Sequence, residues 1–386
     1  MYKLSRSAET VGKGHPDKIA DLIADSILDA LIDQLGIQET RLSAEVLVSN
    51  KKVLIAGEGS SNPDVIFEDL AKKILYLSGY EPDKFEILLD YKKQSEELSI
   101  LTNKCSFSND QGIVFGFASK DSEELIPLEQ LLVKKLALKT LQLIENGILW
   151  WAKEDFKTLV HLDMTYNDWH KLQESKLIAL VFSIQHVELV KKDQIESDLK
   201  LKVIFPTLEE LNISFDAQTS WLINSSGSFL VGGLEADSGL TNRKQISDSF
   251  GPAAHHGGGG LSGKDLTKID RLGAYYARWI AKNIVATGLA QELELKIVYA
   301  IGQLEAISYT ITHSKGIKFD PQKITDLIHS CFPTKVKEIF DLFTSSQFSF
   351  ADLAQNSHFG LNPELPWEKL DRMQEISDWT KKFLKN

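Results

Sequence analysis

The chain has 386 residues, 43% hydrophobic and 25% charged, an ordinary globular composition long enough for two or three domains with well-buried cores. Its formal net charge of −11 excludes a general nucleic-acid or membrane-binding surface, so basic residues that cluster despite it point to a local anionic ligand. Two cysteines, Cys105 and Cys331, lack metal-ligand spacing, and neither a signal peptide nor a membrane-length apolar run is visible, so a reducing, cytoplasmic setting is expected.

The first stretch carrying chemistry is residues 7–18, SAETVGKGHPDK. Pro16 fits the first turn of a helix that runs to about Leu35 and stops at Gly36. Its apolar face is Ile19, Leu22, Ile23, Ile27 and Leu31, and the opposite side carries Asp17, Asp21, Asp25, Asp29 and Asp33. The last four aspartates read as a solvated face. Asp17 differs, because it lies in the opening turn beside His15, where a ligand can reach it.

Residues 41–50 and 52–57 read as a strand pair joined by a tight Asn50-Lys51 turn, with Glu45 and Glu58 on or beside the strands. An amphipathic helix over 63–80 and a strand over 85–91 follow. Residues 94–109 lose all periodicity and read as a loop, a candidate lid. Asp110-Gln111-Gly112 then opens an apolar run broken by glycine, 113–118. A helix over 127–146 ends at Gly147, and strands are expected at 158–164 and 176–186. The charged stretch 191–202 reads as a solvated helix. Residues 221–224 and 228–231 flank Ser225-Ser226-Gly227, a hairpin signal. Gly232-Gly233 leads to Asp237 and to the adjacent cations Arg243-Lys244. Beyond residue 289, strands are expected at 295–302 and 307–313 and a helix at 321–343, before an irregular tail. No internal repeat is visible. Helices and strands mix without regular β-α-β alternation, which favours an α+β fold.

The densest signal is residues 251–289, where four glycines, Gly257 to Gly260, precede Leu261-Ser262-Gly263-Lys264-Asp265. Thr267 or Asp265 is suited to cap the helix that follows, and Gly288 to stop it. A glycine loop feeding a helix N-terminus favours an anion, its N–H groups turned toward the ligand. Lys264, Lys268 and Arg271 recur at helical spacing, with Asp270 in the same turns, which suits a polyphosphate carrying a divalent metal. Residues 258–264 also satisfy the first seven positions of a P-loop, but the eighth is Asp265 rather than Ser or Thr, which counts against a P-loop kinase.

Taken in order, Gly14-His15-Pro16-Asp17-Lys18, Asp110-Gln111-Gly112, Gly239-Leu240-Thr241-Asn242-Arg243-Lys244, residues 256–265, Lys268-Ile269-Asp270-Arg271, His358-Phe359-Gly360 and Pro366-Trp367-Glu368-Lys369 strongly resemble the S-adenosylmethionine synthetase family. The resemblance covers nearly the whole chain. It implies three similar α+β domains with pseudo-threefold symmetry, here 1–103, 104–231 and 232–386, and a homodimer with shared active sites, either alone or as a dimer of dimers. It also implies that methionine sulfur displaces triphosphate from C5′ of ATP, and that the triphosphate is cleaved to pyrophosphate and phosphate before release. By the resemblance, His15, Lys157, Arg243, Lys244 and Lys264 contact phosphates. Asp155, Ser228, Phe229, Asp237 and Gly260 complete the ATP site. Glu58, Gln94, Asp110, Asp237 and Lys268 hold methionine. Asp17 and Asp270 match Mg2+ carboxylates, with two ions expected per site, and Glu45 matches a K+ ligand.

The chain departs from the family's pattern in places. Between Gln94 and Asp110 the lid is shorter and lacks the Ser-Pro-Asp-Ile-x-Gln-Gly-Val signature, and it is expected to close poorly. Lys13, Ser228, His255 and Gly260 stand where Glu, Arg, Arg and Ala are common. The alternative reading is a diverged, weakly active or regulatory ATP-binding relative that assembles with a catalytic partner.

Overall fold

The computed structural model describes residues 1–59, 66–93 and 107–383. Strand β1 (Tyr2–Val11) leads into helix α1 (Pro16–Leu35). Pro16 opens the helix, the His15 ring caps it, and Gly36 ends it at φ +82°. A hairpin follows, β2 (Leu42–Ser49) and β3 (Lys52–Gly59), turned at Asn50 and Lys51, both with positive φ. Beyond α2 (Ile66–Leu77), β4 (Glu86–Lys93) lies parallel to β3.

The same order of strand, long helix and hairpin recurs twice. The second round is β5 (Gly112–Ser119), α3 (Leu128–Glu145), β6 (Ala152–Tyr166) and β7 (Leu172–His186). It crosses through α4 (Lys192–Asp198) and α5 (Phe205–Glu210) to β8 (Ser220–Ile223), parallel to β7. The third round is β9 (Gly239–Leu240), α6 (Gln245–Asp248), α7 (Ile269–Ala286), β10 (Glu292–Tyr299) and β11 (Ser308–Lys315). Four helices close the chain: α8 (Ile324–Cys331), α9 (Val336–Thr344), α10 (Phe350–Gln355) and α11 (Met373–Phe383).

Each leading strand joins the hairpin of another round. β1 pairs antiparallel with β6, β5 with β10, and β9 with β2. The sheets are therefore β4-β3-β2-β9, β1-β6-β7-β8 and β11-β10-β5, and the exchange runs round a closed ring of three. The helices complete the units: α1 packs on β2 and β9, α3 on β6 and β1, and α7 on β5 and β10. This is the three-domain α+β architecture expected. The repeat that the sequence hides is plain in the pairing. Each sheet draws one strand from beyond the segment that supplies its hairpin, so the ring of exchanges locks the three units together.

Several local expectations change. Asp21 and Asp25 are fully buried, not solvated, because α1 is enclosed on its far side as well as against its sheet. Asp29 caps α10, accepting from Phe350 N–H, Ala351 N–H and the Ser349 hydroxyl at 2.7–2.9 Å. Of those four aspartates, only Asp33 is exposed. Residues 228–231 form no strand, and the helix expected over 321–343 breaks at Pro333 into α8 and α9. Ile195 and Leu199 bury one side of the charged stretch 191–202. The tail forms α11, anchored by buried Ile376 and Trp379. Among the described residues no helix is long and apolar enough to cross a membrane.

Candidate active site

The predicted residues fall into two groups. The first gathers at the N-terminus of α1, the loop after β9 and the outer face of β6. Asp17 is fully buried there. Its Oδ1 accepts from the Leu240 N–H (3.0 Å) and its Oδ2 from Lys244 Nζ (2.6 Å), with Arg243 Nε 3.4 Å away. The backbones meet so closely that a Cβ on Gly239 would lie 2.0 Å from the Pro16 carbonyl oxygen. His15 Nδ1 accepts from the Asp17 N–H (3.2 Å), which leaves the ring proton on Nε2. Burial and then the Lys244 charge push His15 down to about 4, against the pull of Asp17 and Asp237. The imidazole is therefore a neutral donor at pH 7.

Lys157 faces outward from β6 and pairs with Glu9 on neighbouring β1 (2.8 Å). Asp155 accepts from the Gly233 N–H (2.6 Å) and so holds the loop that carries Asp237; burial raises its carboxyl. Asp237 is exposed, as is Ser228. Phe229 is fixed by His186: the Phe229 N–H donates to Nε2 (3.0 Å), and the Phe229 carbonyl accepts from the His186 N–H (2.9 Å).

The second group surrounds the glycine loop. Lys264 pairs with Asp270 (2.6 Å) and Lys268 with Asp265 (2.9 Å). Lys264 bridges Ser43 of β2, and Ser43 lies opposite Glu58 of β3. Glu45, two residues on, shares that outer face and accepts from the Thr241 hydroxyl. Asn109 accepts from the Ile269 N–H (3.2 Å), which brings Asp110 to the start of α7. Gly259 packs so tightly that a Cβ would sit 2.1 Å from the Asp270 carboxyl. Gly260 is buried. Gln94 and Cys105 lie outside the described residues.

Three expectations about this loop change. Not all of its N–H groups await an anion: Gly258 donates to His256, Leu261 and Ser262 to Asn242, and Gly263 to Asp25, at 2.8–3.0 Å. Arg271 is fully buried and gives both arms to Asp25 (2.8 and 2.9 Å), so it is a structural clamp rather than a phosphate contact. Asp265 turns inward, accepting from the Leu42 and Thr267 N–H groups (both 2.7 Å), and caps no helix: the N-cap of α7 is Lys268, and neither Asp265 nor Thr267 caps it with a side-chain bond. Sequence reading missed Glu9, His186 and Asn242. Glu9 stands in the same opening motif as His15, and Asn242 in the motif Gly239–Lys244, but nothing local marks His186.

No ion pair joins the two groups among the described residues. Each cation faces a carboxylate of its own group: Lys244 faces Asp17, Lys157 faces Glu9 and Lys264 faces Asp270. Nor do three or more His, Cys, Asp or Glu side chains among them gather into a metal-binding cluster. The arrangement suits a polyanion whose charge is met by lysine and arginine.

Comparison with known proteins gives the same picture. The family descriptions "S-adenosylmethionine synthetase, N-terminal domain", "central domain" and "C-terminal domain" match residues 3–103, 106–229 and 231–369. An S-adenosylmethionine synthase of Mycoplasmopsis pulmonis is 37% identical over 391 residues, covering 100% of both chains. S-adenosylmethionine synthase 1 of Pinus contorta is 38% identical, covering 96% of this chain and 97% of its own. The enzyme of Leuconostoc mesenteroides is 38% identical, with 96% and 98% covered. With its three domains all matched and its full length shared with these enzymes, the chain belongs to the S-adenosylmethionine synthetase family and makes S-adenosylmethionine from ATP and methionine.

Proposed function

We propose that the two groups are half-sites that complete each other across a two-fold homodimer. One chain brings the His15–Asp17–Lys244 group, and its partner brings the Lys264–Asp270 group with Glu58 and Asp110. The carrying observation is on the sheet β4-β3-β2-β9. Leu240, Leu47, Leu54 and Leu88 stand in register, one per strand, on its outer face. Leu47, Leu88 and Leu240 are exposed, with Glu45 and Glu58 on the same face. A leucine row across a whole sheet is self-complementary, as a two-fold contact requires. It would bring each chain's second group toward the other's first.

The chemistry follows from the charges. A thioether needs no general base, so the demand falls on the leaving triphosphate, roughly four negative charges. Arg243, Lys244, Lys157 and Lys264 meet that charge as their carboxylate pairings give way to phosphate. His15, neutral and bearing its proton on Nε2, donates to the bridging oxygen as the bond to C5′ breaks. Phe229 packs beside adenine, with Asp155, Ser228 and Gly260 lining the nucleotide site. Asp237, Lys268, Glu58 and Asp110 hold methionine.

The family's enzymes are metal-dependent. Asp17 and Asp270 would hold Mg2+, two ions per site. They fit in donor type, because Mg2+ is commonly held by one or two carboxylates and substrate phosphate, and each would be freed for the ion as its lysine partner turns to phosphate. Bound metal supplies charge neutralisation to the polyphosphate. Glu45, outward-facing and hydrogen-bonded to Thr241, would hold K+. Cys331, a buried free thiol, suits the reducing cytoplasm in which we place the enzyme.

The test is product analysis with ATP and methionine, using wild type, Asp17→Asn and Lys264→Ala. S-adenosylmethionine, pyrophosphate and phosphate should form with wild type and fall sharply with both variants. Wild-type turnover in either variant would remove that residue from the site.

A further inference from the structure

Asn242 lies beside the cations Arg243 and Lys244, yet its side chain is committed to the glycine loop. Its Oδ1 accepts from both the Leu261 N–H (2.8 Å) and the Ser262 N–H (3.0 Å), and its Nδ2 donates to the Ser262 carbonyl (3.0 Å). Its own N–H donates to Asp21 Oδ1 (2.8 Å), a fully buried carboxylate of α1. The backbone is left-handed, φ +65°, a conformation that Asn tolerates and most side chains do not. One amide thus ties three points of the loop to a strand end that is itself anchored on α1.

The loop has adapted to that amide. Gly260 is buried, and a Cβ there would lie 2.6 Å from Asn242 Nδ2 and 2.7 Å from its Cγ, closer than packed atoms come. Asn242 and Gly260 are therefore a fitted pair: the carboxamide occupies the space that a side chain at 260 would need. Residues 261–263 lead directly to Lys264, so their conformation decides where its ammonium group points.

The geometry points to Asn242 as a positioning residue for Lys264, acting through Leu261 and Ser262 without touching substrate, with Gly260 as its steric complement. The role rests on reading Lys264 as a triphosphate contact. Without the clamp, Leu261 and Ser262 N–H groups turn to water and the loop samples other conformations. The loss then falls on binding and turnover of the polyphosphate rather than on the fold.

The test compares Asn242→Gly, which keeps the left-handed backbone, with Gly260→Ala and the double variant. Inorganic tripolyphosphate binding is measured by calorimetry, kcat and KM by S-adenosylmethionine formation, and Tm by thermal unfolding. Asn242→Gly should bind tripolyphosphate about tenfold more weakly and lose about tenfold in kcat, with methionine KM within about twofold and Tm nearly unchanged. Gly260→Ala should lose at least as much, and the double variant should turn over faster than Gly260→Ala alone, because the clash is gone. A lowered Tm in Asn242→Gly with binding and kcat intact would overturn the proposal, as would a Gly260→Ala enzyme no slower than the double variant. Lys264→Ala serves as the control. Undiminished tripolyphosphate binding there would overturn the reading of Lys264 itself, and with it the role given to Asn242.

Discussion

The guanidinium of Arg271 grips both oxygens of Asp25, at 2.8 and 2.9 Å, with neither side chain exposed. The pair ties α7 to α1, the two helices whose N-terminal ends carry the two candidate groups. It also holds the glycine loop, since Asp25 accepts from the Gly263 N–H (2.8 Å) and Arg271 donates to the Lys264 carbonyl (2.9 Å). Asp25→Asn leaves a buried guanidinium without its counter-charge, and we expect a loss of about 3–5 kcal/mol, read by thermal or denaturant unfolding. A loss below about 1 kcal/mol would show that the clamp is dispensable.

Lys264→Ala and Arg243→Ala should each cost about 2–4 kcal/mol of transition-state stabilisation, read from kcat/KM for ATP. Both remove a cation from a place where the structure already pairs it with, or sets it beside, a buried or half-buried carboxylate. Turnover within about threefold of wild type for both would sink the triphosphate assignment.

The metal reading has its own consequence. Asp17→Asn and Asp270→Asn should each raise the Mg2+ concentration for half-maximal rate by about tenfold or more. Unchanged magnesium titrations would place the metal elsewhere.

Glu129, at the start of α3, has one buried oxygen without a hydrogen-bond partner and faces Arg6, which also pairs with Asp121 and Glu292. Burial drives its carboxyl up to about 7, with Arg6 opposing. The folded chain therefore holds this proton more tightly than the unfolded one. That stabilisation is complete below the ordinary carboxyl range and is lost as pH rises through about 7. Glu129→Gln should flatten the fall in Tm between about pH 5 and 8 relative to wild type. Parallel Tm profiles would contradict this.

Much of the fold was legible where local chemistry decides it. Pro16 and Gly36 bracket α1, and the Asn50-Lys51 turn forms with both residues at positive φ. What was not legible is set by distant partners. Aspartates four apart look alike whether they face water or a buried arginine, and Arg271 lies 246 residues from Asp25. The ring of exchanged strands leaves no sequence repeat to see, since β9, only two residues long, plays the part that β1 plays with ten. The glycine loop was read as an anion site, but the N–H groups of Leu261, Ser262 and Gly263 meet side chains of the chain itself. Those side chains, Asn242 and Asp25, come from other elements. For the site residues, family resemblance supplied the candidates; the structure adds that they divide into two groups.

That division makes subunit mixing the most direct test. Asp17→Asn disables the first group and Lys264→Ala the second, so each homodimer should be nearly inactive. A hybrid dimer has one site with both defects and one with neither. Equal mixing with free exchange should therefore restore about a quarter of wild-type activity, by two-fold symmetry. Native mass spectrometry confirms that hybrids have formed. Activity near a quarter is the predicted result. Hybrids with no activity above the parents would show that both groups serve one site within a single chain.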